Sequence, residues 1–78
     1  MSVQVRFFAS LRDELGRSEA VVEHEPGMKV VDIWHRVAGN QTIPGHVLAA
    51  VNMEYARPVT EVHDGDEVAF FPPVTGGG

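Results

Sequence analysis

Cysteine is absent from this 78-residue chain. A disulfide framework, a thiolate metal site and a cysteine nucleophile are therefore all excluded. A secreted domain of this size usually depends on such staples. The opening MSVQVRFF has neither the basic segment nor the long apolar run of a signal peptide, and no stretch reaches the roughly 20 apolar residues of a membrane span. The expectation is a cytoplasmic chain that meets no membrane. Positive charge is scarce: six Lys and Arg face eleven Asp and Glu, for a net charge of −5. Nucleic acid, which is bound by neutralising phosphates, is an unfavourable partner. Lys29 is the only lysine, and no Lys or Arg follows Arg57, whereas Glu61, Asp64, Asp66 and Glu67 do. A basic protein surface suits this end of the chain better. Asn40-Gln41-Thr42 fits a glycosylation pattern, which without an export signal reads as coincidence.

What remains is an ordinary globular composition, 44% apolar and 22% charged, in a chain just long enough for one hydrophobic core. Val3, Val5 and Phe7 alternate with Gln4, Arg6 and Phe8, the period of two of a strand with one buried face. Ser10 followed by Asp13 resembles a capping signal, and Leu11, Leu15 and Gly16 suggest a helical turn over 11–15. A second strand is expected over Glu19–Glu25, ended by Pro26-Gly27. Val30, Ile33, Trp34 and Val37 fall at helical spacing, which places the main helix between Met28 and Ala38, closed by Gly39-Asn40. No Ser, Thr, Asp or Asn caps it just ahead of Val30. Further strands are expected over His46–Asn52, within Asn52–Pro58, and over Glu67–Pro72, the last preceded by a tight Asp64-Gly65-Asp66 turn and ended by Pro72-Pro73. The order predicts an α+β domain, one main helix across one face of a mixed sheet.

Two phenylalanine pairs, Phe7-Phe8 and Phe70-Phe71, sit in the first and last strands. Adjacent strand residues face opposite ways, so one helix cannot bury both members of either pair. Strand parity puts Phe8 and Phe71 on the outer face. Side by side they would form an apolar patch for a partner, unless loops or the short helical turn cover them.

Catalytic chemistry is hard to find. His24, His35, His46 and His63 match no zinc spacing and pair with no nucleophile in sequence, so they read as surface residues. Asp64 and Asp66 lack the later oxygen ligands and closing Glu of a calcium loop and read as turn formers. The terminal Gly76-Gly77-Gly78 lacks the Lys and Ser/Thr of a phosphate loop. A strip of three glycines spans at most about 10 Å and presents no side chain, so it could enter a channel as wide as bare backbone. Its one functional group is the terminal carboxylate, which must be activated, for instance as a mixed anhydride with AMP, before anything is attached. A frayed end is the bland alternative.

AAVN at Ala49–Asn52, DGDEVAFFPPV at Asp64–Val74 and the terminal glycines together closely resemble the small-subunit family of molybdopterin synthases, with VRFFASLRDELG at Val5–Gly16 resembling that family's first strand and turn. These proteins are sulfur carriers with a ubiquitin-like β-grasp fold. The resemblance implies a mixed sheet of about five strands, with residues 1–75 as the carrier domain and 76–78 as a flexible tail. It implies that Gly78, preceded by Gly76 and Gly77, carries an adenylate and then a thiocarboxylate, and that Phe8, Phe71, Pro73, Val74 and Thr75 face partners. Those partners would be an adenylating enzyme similar to those of ubiquitin, a sulfurtransferase, and the large synthase subunit, joined in a heterotetramer. The chain itself would bind no cofactor; ATP would be used by the activating enzyme. Sulfur would pass to cyclic pyranopterin monophosphate. The family ends on Gly-Gly, matching Gly76 and Gly77, so Gly78 is extra: it carries the sulfur itself, is trimmed first, or is not native. The alternatives are a carrier for thiamine, cysteine or transfer-RNA thiolation, or a ubiquitin-like protein modifier.

Overall fold

The computed structural model describes residues 1–39 and 42–73. Strand β1 (Ser2–Phe7) leads to a short helix α1 (Ser10–Leu15), strand β2 (Glu19–Glu23) and helix α2 (Val30–Ala38). Strands β3 (Leu48–Val51), β4 (Glu54–Ala56) and β5 (Glu67–Phe71) follow. The five strands form one mixed sheet in the order β2-β1-β5-β3-β4, and only β1 and β5 run parallel. This is the β-grasp architecture, with the helices packed across one face.

Strand parity builds the core. Val3, Val5 and Phe7 of β1 pair in register with Val22 and Ala20 on one side and with Val68 and Phe70 on the other. All point toward α2, which contributes Val30, Ile33 and Trp34. Phe7 stacks on Phe70 at 6.2 Å, and Trp34 meets Phe70 edge-on at 5.0 Å. Such aromatic contacts add to the burial of large side chains, each contributing about 1.5–3 kcal/mol. Leu11 of α1 joins the same cluster, so the short helix closes an end of the core and leaves the opposite sheet face open.

Helix boundaries differ from the sequence pattern for identifiable reasons. Ser10 is the first residue of α1 rather than its cap; Ala9 precedes it at φ 55°, ψ −131°, with no side-chain cap bond. A side chain disfavours that conformation, and the turn it makes lies directly after Phe8. Helix α2 starts at Val30 without a Ser, Thr, Asp or Asn just ahead of it because Asp32 of its own first turn and carbonyls of the distant 58–60 loop satisfy its first donors. Lys29 N–H donates to Asp32 Oδ2 at 2.9 Å, Val30 N–H to the Thr60 carbonyl and Val31 N–H to the Pro58 carbonyl, both at 3.0 Å. These are the amides that a helix leaves unpaired at its N-terminus. Gly39, at φ 78°, closes α2 by donating to the His35 carbonyl; Asn40, expected to share that role, is outside the described residues. Strand β2 ends at Glu23 rather than Glu25, since Pro26 has no amide hydrogen and the chain turns, Met28 N–H donating to the Glu25 carbonyl. No helix among the described residues is long and apolar enough to cross a membrane.

Candidate functional site

The outer face of the sheet carries the alternate residues of every strand. Register places Arg6 beside Ala69, Ala69 beside Ala50, and Ala50 beside Tyr55. Phe71 pairs with Leu48, and Phe8 extends the β1 ladder by donating its N–H to the Phe70 carbonyl at 3.1 Å. Phe7 and Phe70 are buried while Phe8 is 45% exposed and Phe71 half-buried. Phe7 and Phe70 thus face the core and Phe8 and Phe71 the outer face, as strand parity predicts, and neither helix covers the outward rings.

These rings belong to a shallow apolar depression of about 320 Å³, floored by Ala50 and Ala69 and walled by Phe8, Phe71, Tyr55 and Met53. The Tyr55 ring lies 5.9 Å from that of Phe71. Tyr55 is 81% exposed and Met53 92%, so among the described residues nothing covers this apolar surface. A contiguous patch of this kind usually marks a protein interface. Its border toward β1 is charged, Arg6 Nε meeting Glu67 Oε2 at 3.1 Å. Sequence reasoning missed Met53 and Tyr55. Their place beside Phe71 depends on β3 lying between β4 and β5, a pairing that no local pattern in the chain reveals.

The hairpin bearing Met53 is tied to β5 by side chains. Asn52 Nδ2 donates to Asp66 Oδ1 at 2.9 Å, Glu67 N–H donates to Asn52 Oδ1 at 3.0 Å, and Asn52 N–H donates to the Glu67 carbonyl at 2.8 Å. Asp66 Oδ2 accepts the His63 N–H at 2.8 Å. Asp66 is therefore a turn former, as its sequence context suggests, and also the anchor that joins the AAVN segment to the DGDEV segment. The His63 amide holds the Asp66 carboxyl below its ordinary pKa; desolvation opposes it, and the Asn52 side-chain amide adds a smaller lowering. Because the folded value is depressed, this contribution to stability is complete above the unfolded value of about 3.9 and disappears as pH falls through the lower folded value. Asp66→Ala is expected to cost about 1–3 kcal/mol at pH 7. It should also flatten the decline in stability below about pH 4, as followed by urea unfolding across pH.

The histidines are not gathered into a site. His35, His46 and His63 are exposed, and His24 is half-buried with Nε2–H donating to the Val62 carbonyl at 2.9 Å. Among the described residues no group of three or more His, Asp or Glu could hold a metal. Pro73 is exposed two residues beyond Phe71. Val74, Thr75, Gly76, Gly77 and Gly78, and with them the 75/76 domain boundary, lie outside the described residues.

The ThiS family model matches residues 5–77. The molybdopterin synthase sulfur carrier subunit of Escherichia coli (strain K12) is 37% identical, covering 96% of this chain and 99% of that protein. The subunit of the same name from Chlamydomonas reinhardtii is 32% identical, covering 99% and 100%. Among solved structures, SAMP1 from Haloferax volcanii superimposes with a TM-score of 0.83 at 26% identity, covering 99% of this chain and 100% of that one.

Proposed function

This chain belongs to the ThiS family of β-grasp sulfur carriers and is homologous to the small subunit of molybdopterin synthase; from that premise we propose that it delivers sulfur, as a C-terminal thiocarboxylate, to the synthesis of the molybdenum cofactor. In this reading a terminal carboxylate oxygen attacks the α-phosphorus of ATP on an activating enzyme, releasing pyrophosphate and leaving an acyl adenylate. The persulfide of a sulfurtransferase attacks the acyl carbon and displaces AMP, a thiol reductant cleaves the resulting acyl disulfide, and the freed thiocarboxylate enters the large synthase subunit. There two charged carriers supply the two sulfurs that turn cyclic pyranopterin monophosphate into molybdopterin, each carrier returning to the carboxylate by hydrolysis. The setting is cytoplasmic.

One observation carries the reading. The uncovered patch of Phe8, Phe71, Tyr55 and Met53 adjoins the end of β5, and the sequence runs from there through Pro73, Val74 and Thr75 into Gly76, Gly77 and Gly78. A carrier needs a face by which its partner holds the body of the protein and, within reach of that face, a terminus that fits a narrow channel. In this reading the chemistry falls to the partners and to the terminal carbonyl carbon.

Incubation with the activating enzyme, ATP and a sulfur source should add about 16 Da by replacing oxygen with sulfur. Oxidation of an exposed methionine adds nearly the same mass, and Met53 is fully in solvent's reach. The gain must therefore require ATP and map to the C-terminal peptide. A gain that persists without ATP, or that maps to the Met53 peptide, counts against the proposal.

The likeness to SAMP1, named small archaeal modifier protein 1 in Methanosarcina acetivorans, favours a second reading in which the activated terminus is joined to lysines of target proteins. High-molecular-weight conjugates in cell extract, with no thiocarboxylate, would support that reading over the first. Carriers for thiamine, cysteine or transfer-RNA thiolation would differ from the leading reading in which large partner co-purifies.

A further inference from the structure

Strands β3 and β4 are joined by Asn52 and Met53 alone, with Val51 paired to Glu54. A two-residue hairpin loop of this kind, with both central residues at positive φ, favours Asn-Gly, the second position especially falling to glycine. Asn52 at φ 51° follows that preference, whereas Met53 adopts φ 71° with a full side chain. Left-handed backbone is unfavourable for any residue with a Cβ and is rarely taken by long apolar ones. The Met53 side chain is 92% exposed, so its own packing against the described residues offsets little of that cost. The hydrogen bonds of Asn52 with Asp66 and Glu67 hold the turn in this shape and direct Met53 to the rim of the depression that Phe71 and Tyr55 also line.

We propose that Met53 is a specificity-determining anchor for docking on the large synthase subunit, kept in a strained turn because its side chain is used by that partner rather than by the fold. This rests on the carrier reading above. The occupant follows from the relatives, which are subunits of molybdopterin synthase and so bind the remainder of that enzyme. The reach is compatible: the five residues after Pro73 in this sequence span, when extended, at most about 17 Å. Whatever accepts the terminal carboxyl must therefore stand over the end of β5, where the patch begins. A thioether on an unbranched chain adapts to an irregular apolar pocket better than a branched side chain does, and a residue at the edge of an aromatic pair is placed to distinguish one partner surface from another.

The test measures thermal midpoint and affinity for the large synthase subunit of the same organism, using the full-length chain and its Met53→Gly, Met53→Leu and Phe71→Ser variants. Met53→Gly should raise the midpoint by about 4 °C, because the strain is relieved. It should weaken binding about tenfold, the effect of losing one well-packed apolar anchor. Met53→Leu should bind within about threefold of the parent, since it conserves volume. If Met53→Gly binds as the parent does while Phe71→Ser is weakened, Met53 is no anchor and the inference fails alone. An affinity loss confined to the activating enzyme overturns the choice of partner, and a midpoint that falls in Met53→Gly overturns the strain argument. If Phe71→Ser also binds normally, the docking face itself is wrong and the inference fails with it.

Discussion

Deletion of Gly76, Gly77 and Gly78 is expected to abolish sulfur donation while leaving the thermal midpoint within about 3 °C of the full chain. Among the described residues every member of the core cluster lies between Val3 and Phe70, which leaves that packing in place when the three glycines are removed. The chemistry does not survive, because the deletion draws the terminal carbonyl carbon back by about 10 Å. Misplacement by a single ångström can already cost a hundredfold, so molybdopterin formation in a reconstituted system should fall by at least about a thousandfold. Removal of Gly78 alone separates the possibilities for the reactive residue. If Gly77 is the working end, activity is kept or rises. If Gly78 is, the loss of one residue, about 3.5 Å of reach, should cost on the order of a hundredfold. Full activity in the chain lacking all three glycines would falsify the carrier reading.

Phe70→Ala should be the most damaging single change to the body of the protein. Phe70 is fully buried, stacked on Phe7 and met edge-on by Trp34, and it sits on the central strand between β1 and β3. Truncating such a residue removes its burial and leaves a cavity that the sheet cannot close, a loss of about 3–5 kcal/mol. A domain of this size commonly has only about 4–12 kcal/mol in total. The thermal midpoint should fall by at least about 12 °C, measured by circular dichroism. Its neighbour provides the internal contrast: Phe71→Ala faces outward and should shift the midpoint far less while weakening partner binding. Equal destabilisation by the two substitutions would show that the outer face is packed rather than open.

That contrast also marks how far the sequence could be followed. Period-two alternation in β1 and β5 was enough to say which phenylalanine of each pair is buried, because parity is a property of the extended backbone itself. The apolar spacing of α2 was equally local. The starts of both helices were not. Asp32, Thr60 and Pro58 satisfy the first amides of α2, and two of those three come from a loop distant in sequence. The site was half visible for the same reason. Phe8 and Phe71 declared themselves by parity, but Tyr55 and Met53 became neighbours of Phe71 only through the β4-β3-β5 order. Asp66 was legible as a turn former and illegible as the partner of Asn52.

The sequence by itself determined which residues go inside and where the main helix runs, since both follow from residue type and spacing along a single element. The tertiary structure alone decided that the outward residues of three strands and one turn form a single patch beside the end of β5, and that Met53 is held in a conformation its own side chain opposes. Contacts between strands distant in sequence carry those decisions, because register across a sheet is set by the packing of the whole core and is not encoded in any one strand.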